Sequence, residues 1–154
     1  MPRKPDHADA DLILKLYDAR RESEIRKARK WWTTTFWPAS ADDVIKVMRA
    51  AGTDENAWFR QVLGYWNIAA SFVTHGVLNE ELFLEPSCSG EMFFIYAKLE
   101  PYLAEVREKM QNPMLLANFE KLAKSKIGRE RYKVISRNVE NARKARAENL
   151  VKAS

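Results

Sequence analysis

A chain of 154 residues with 46% hydrophobic and 11% aromatic content is long enough for one domain with a buried core, and that content excludes global disorder. Its single cysteine excludes an internal disulfide framework and points to a reducing, cytoplasmic setting. The net charge of +5 conceals a split: residues 1–30 carry nine Lys/Arg against six Asp/Glu, residues 31–120 six against twelve, and residues 121–154 eleven against three. Basic ends around an acidic, aromatic middle bear on association and solubility, not on chemistry.

Residues 1–8 read as a flexible leader with two prolines and no apolar signal segment, and residues 9–152 as a single helical domain. From Asp9 the periodicity predicts one long helix. Leu14, Tyr17, Arg21, Ile25, Ala28, Trp32 and Thr35 form its stripe, and Pro38 ends it. Ser40 is the expected N-cap of a helix over 41–51, closed by Gly52. Thr53 opens the next, which runs to about residue 75 ahead of Gly76. Its residues are apolar nearly all round, with only Arg60, Gly64, Asn67, Ser71 and Thr74 on a polar seam, which predicts the centre of a bundle.

Asn79 caps a short turn over 80–85 that Pro86 stops, and residues 87–90 read as loop. A strong helix follows over 91–111, with a kink or break near Lys98 imposed by Pro101. Asn112-Pro113 starts a helix to about Lys124. After a break near Gly128, residues 129–151 form a basic helix with a narrow seam of Tyr132, Ile135, Val139 and Ala142. No segment alternates with period two. The expected fold is all-α, an irregular bundle of five or six helices with long basic N- and C-terminal helices. No run reaches the eighteen or so apolar residues of a membrane span.

The run Leu78-Asn79-Glu80-Glu81-Leu82-Phe83, the aromatic helix reaching Leu99-Glu100-Pro101, then Arg107 and Asn118-Phe119-Glu120-Lys121-Leu122 form a pattern. Together with the helix before His75-Gly76, it resembles a widespread bacterial family of small helical domains with no assigned function, over roughly residues 57–122. The resemblance implies an all-helical fold and supplies no activity. Some members of that family carry an N-terminal membrane helix, and this sequence shows none.

Basic residues Arg26, Lys27, Arg29 and Lys30 run directly into Trp31, Trp32 and Trp37. Cations beside rings suit nucleic acid, the charges on phosphate and the rings on bases, or a membrane surface. Closure of one end of the bundle by the rings is the simpler reading. Basic residues of the last helix, among them Arg131 and Arg137, spread around it and read as a solvated face or as partners of the acidic body.

Cys88 with His75 is the one nucleophile–base pairing available, if the fold brings them together. Glu80, Glu81, Glu85 and Glu91 are candidate ligands for a hard cation, though without the spacing of a calcium loop. No glycine loop for phosphate and no serine-nucleophile motif is present, so no cofactor and no catalytic residue is expected. Arg60, on the seam of the core helix, is expected to face water. The sequence therefore reads as a non-enzymatic protein-interaction or scaffold module, with self-association or a protein partner. Nucleic-acid binding through the basic ends and the tryptophan cluster is the alternative.

Overall fold

The computed structural model describes residues 3–154. Its elements are α1 (His7–Ala19), α2 (Ser23–Lys30), a π-helical turn (Trp31–Thr35), α3 (Ala41–Arg49), α4 (Asp54–Thr74), α5 (Glu80–Phe83), α6 (Pro86–Lys109), α7 (Ala117–Lys124) and α8 (Lys126–Ala153). Among the described residues there is no strand, and the all-α class holds. Eight α-helices replace the expected five or six because the long first helix divides and the turn after Asn79 is helical. No helix among the described residues is long and apolar enough to cross a membrane.

The first helix divides at Glu22, whose carboxylate accepts from the amides of Glu24 (2.9 Å) and Ile25 (3.0 Å) and so caps a new start. This shifts the phase of the stripe. Ile25, Ala28 and Trp32 are buried as expected, whereas Leu14 and Tyr17 stay 64% and 56% exposed and α1 packs through Leu12, Ile13 and Leu16. The leader is not free over its described part. Asp6 and Asp9 form a capping box at α1, Arg3 reaches the buried Asp9 at 2.6 and 2.8 Å, and the amide of Asn79 donates to the same carboxylate at 2.8 Å. These contacts hold Asp9 far below the usual carboxylate range, the Arg3 hydrogen bond being the largest cause.

Local capping chemistry sets most other boundaries. Ser40, Thr53 and Asn79 cap α3, α4 and α5. Gly52 and Gly76 take positive φ (89° and 74°) in the turns that close α3 and α4. Pro86 does not stop a turn; it occupies the first turn of α6, where a missing N–H costs nothing, and Ser87–Gly90 are helical. Pro101 does not break α6 at Lys98. The helix runs through to Lys109, and Arg143 donates to the Lys98 carbonyl at 3.1 Å beside the Ala97 carbonyl that Pro101 leaves without its usual donor.

Asn112-Pro113 belongs to a turn, and α7 begins at Ala117 after Leu116 in the left-handed region (φ 57°). Arg107 clamps that turn, donating to the Leu115 carbonyl at 2.8 and 3.0 Å and to Glu120 at 2.8 Å. The last break falls at Ser125, not Gly128. Ser125 caps α8 by accepting from the Gly128 amide, and a Cβ on Gly128 would lie 1.9 Å from the Leu122 carbonyl oxygen.

The helix α4 is central, with Phe59, Val62, Leu63, Trp66, Ala69, Ala70 and Val73 buried and its seam residues Arg60, Gly64 and Asn67 exposed. It packs on α2, α3 and α7, while α6 packs on α3, α7 and α8. The 28 residues of α8 span roughly 42 Å, and every residue from Lys144 to Ser154 is exposed, so the helix extends past the body.

Candidate functional site

The tryptophan cluster is largely interior. At the end of α2 the amide of Phe36 reaches back to the Trp31 carbonyl (2.9 Å), which widens the last turn to π geometry. Thr33 and Thr34 donate to the Arg29 and Lys30 carbonyls at 2.7 to 3.1 Å, satisfying acceptors that the widened turn releases. The outcome turns Trp31 (7% exposed), Trp32 (0%) and Phe36 (9%) inward and leaves Trp37 half-buried at the rim. Trp31 stacks on Phe36 at 4.6 Å and Trp32 on Phe59 at 5.0 Å. Trp31 and Trp32 therefore offer no face on which a base could stack.

The cations before the cluster separate. Arg26 and Lys30 are exposed, Lys27 pairs with Glu24 at 2.7 Å, and Arg29 lies on Glu91 at 2.8 Å. Glu91 also accepts from Trp66 Nε1 at 3.1 Å, and its hydrogen bond raises the Arg29 pKa. On α8, Arg131 reaches the Glu81 carbonyl and Glu85, whereas Arg137 is exposed. Two of the expected surface cations thus lie against the acidic body.

Beneath the π turn lies a residue that the sequence reading missed. Lys98 of α6 is fully buried and donates to the carbonyl of Trp32, an orphan acceptor at the end of a helix where partial negative charge favours a cation. Its Nζ is 4.1 Å from the ring centre of Trp37, 5.2 Å from Phe94 and 6.0 Å from both Trp32 and Phe36. Among the described residues no carboxylate pairs with it. Burial pushes its pKa down to about 7, with Arg146 and Arg143 of α8 adding to the effect. The signal was present in the sequence: Met92–Leu99 is an apolar run interrupted only by Lys98, and seven of its eight residues are buried.

A second feature is a half-open apolar groove of about 290 Å³ between α1 and the body, lined by Ile13, Leu14, Leu16, Tyr17, Tyr65 and Phe83. Arg20 lies over the Tyr17 ring at 5.0 Å and the Trp66 ring at 5.4 Å at its edge. Tyr65 donates to the Leu16 carbonyl, and burial pushes its pKa up to about 12. Cys88 also lines the groove, in the first turn of α6. His75 does not; its ring contacts the Ser71 carbonyl at 2.8 Å at the far end of α4. The four glutamates do not gather: Glu91 is engaged by Arg29 and Glu85 by Arg131, and no acidic, His or Cys cluster suited to a metal occurs among the described residues.

A family model described as a domain of unknown function, DUF4760, matches residues 5–126. The chain belongs to this family. The match takes in α1 to α7 and reaches the first residue of α8, so Arg143, Arg146 and the projecting end of α8 lie outside it. It includes Lys98, its aromatic cage and the α1 groove. No curated protein and no solved structure matches the chain.

Proposed function

We propose that this domain is a non-enzymatic, cytoplasmic interaction module that self-associates, the projecting end of α8 from one copy entering the α1 groove of another. The observation that carries this reading is the exposure of that end, where Leu150 and Val151 are 74% and 75% exposed on helix with no body beneath it. An isolated helix end of this length is marginal in water, so a partner is what would keep it ordered. Ala147, Leu150 and Val151 follow the i, i+3, i+4 pattern of groove-binding helices.

Sedimentation velocity across the micromolar range tests the proposal. The expected result is a reversible dimer that Leu150→Asp with Val151→Asp dissociates, and that Leu14→Asp with Tyr17→Asp dissociates equally. All four side chains are exposed, so circular dichroism is expected to show unchanged helicity. A monomer at every concentration rejects self-association. Loss on tail substitution alone would place the contact between two tails and reject the groove. The nucleic-acid alternative would run on terminal cations such as Arg26, Lys30 and Arg137, and binding that weakens steeply with salt would favour it.

A further inference from the structure

Three buried hydrogen-bond donors lie without sufficient acceptors at one place in the bundle. Lys98 Nζ has three N–H groups and, among the described residues, one acceptor, the Trp32 carbonyl. Trp37 Nε1 and Arg143 Nε are buried and have no partner among the described residues. Lys98 lies over the Trp37 ring at 4.1 Å, Arg146 over the same ring at 5.0 Å, and Arg143 is bonded to the Lys98 backbone. Glu140 pairs with Arg143 (3.0 Å) and Lys144 (3.9 Å). Arg143 is thus paired through one arm, whereas Lys98, Arg146 and the Trp37 indole N–H have no carboxylate among the described residues.

The molecule shows elsewhere what a completed set of this kind looks like. Around Glu91, one carboxylate takes the guanidinium of Arg29 and the indole N–H of Trp66. Lys98, Arg143, Arg146 and Trp37 supply the same kinds of donor, and the one carboxylate beside them, Glu140, takes only Arg143 Nη1 and Lys144. Capping of the Trp32 carbonyl explains one Lys98 contact, and Glu140 with the Lys98 carbonyl explains two of Arg143; Arg143 Nε, the indole N–H and the remaining Lys98 N–H groups keep no acceptor among the described residues. A buried unpaired donor is costly, and three in one place fit an acceptor that comes from outside the chain.

We propose that Lys98, Arg143, Arg146 and the Trp37 indole N–H form a binding site for an oxyanion, the carboxylate or phosphate group of a small molecule, entering from the rim where Trp37 is half-buried and Arg146 exposed. Arg146 and Trp37 meet the anion first, and Lys98 holds it from below as an ammonium group. Binding then takes up a proton whenever Lys98 starts neutral. The site is assembled from α6 and the π turn within the family match and from α8 outside it. Its ligand chemistry is therefore set in part by the segment that lies beyond the family pattern.

The test is a thermal-shift and Trp-fluorescence titration of the full chain with acetate and with inorganic phosphate, against chloride at matched ionic strength. One of the two oxyanions is expected to raise the melting temperature beyond chloride and to change the fluorescence saturably, and which one does so distinguishes carboxylate from phosphate. Affinity is expected to weaken about tenfold per pH unit above the Lys98 titration near pH 7. Lys98→Met, which keeps the volume and folds without a buried charge, is expected to lose the response at least tenfold. Arg146→Gln, on an exposed side chain that folding does not need, is expected to weaken it severalfold, and Lys133→Gln on the same helix to leave it unchanged. A wild-type response no greater than that to chloride, a response retained by Lys98→Met, or an equal loss in Lys133→Gln would each overturn the proposal.

Discussion

Arg29 and Lys98 are basic residues that lie near one turn of the chain, and they differ in what faces them. Arg29 meets Glu91, which also accepts from Trp66, so cation, anion and indole donor close on one another. Lys98 meets Trp37 and two further cations from α8, with a backbone carbonyl as its acceptor. The pairing raises the pKa of Arg29, while burial lowers that of Lys98. Burial of a cation is thus compatible with this core in two ways: charged and paired, or poised to be neutral.

Removing the anion from the closed set is expected to have the largest effect. Glu91→Ala leaves Arg29 and Trp66 Nε1 without their partner, and urea unfolding is expected to show a loss of about 3 kcal/mol. The low end of the range for broken buried pairs applies because Arg29 keeps 31% of its side-chain surface exposed. A loss within the scatter of surface substitutions would make the two sites alike and remove the contrast.

The open set is expected to respond in the opposite direction. Lys98→Met removes a desolvated amine with spare donors and is expected to stabilise the protein by about 1–3 kcal/mol at neutral pH. The pH dependence supplies the sign. Below about pH 7 the lysine is charged in both folded and unfolded chains, and the burial penalty is fully present. Between about 7 and the ordinary lysine value of 10.5 the unfolded chain binds the extra proton, so wild-type stability gains up to about 1.4 kcal/mol per pH unit from this residue. Chemical denaturation at several pH values is expected to show that slope in the wild type and not in Lys98→Met. Equal slopes would mean that Lys98 stays charged when folded.

The two sites also differ in how far they could be read beforehand. Caps at Ser40, Thr53 and Asn79 depend on residues within one turn, so the starts of α3, α4 and α5 were legible. The exposed seam of α4 was legible for the same reason, since period alone assigns a face. Glu22 as a cap was not, because a glutamate there looks like any surface acid, and the break it makes put Leu14 and Tyr17 outside. Pro86 has two local meanings, stop and first turn, and only packing selects one. Lys98 was not legible because Pro101 nearby reads as a breaker, while the burial of Lys98 comes from α8 and the π turn, 45 and 66 residues away in the chain. The Arg29–Glu91 pair likewise joins residues 62 apart. Charge partners at such separations leave no periodic trace.

The smallest expected effect is the most specific. Arg146 is exposed, rests over the Trp37 ring at 5.0 Å and has the Thr34 carbonyl as a long acceptor at 3.5 Å, so Arg146→Gln is expected to change stability at neutral pH by no more than about 0.5 kcal/mol. Its field nevertheless disfavours the charged form of Lys98. Removing it is expected to move the Lys98 titration upward, and with it the pH at which the stability slope begins. The same substitution leaves the Arg29–Glu91 set untouched, since that carboxylate balances its own cation. An upward shift in the onset with little change in stability would show that the positive field of α8, added to burial, keeps the open site poised near neutrality. An unchanged onset would assign the lowered pKa to burial alone and uncouple α8 from Lys98.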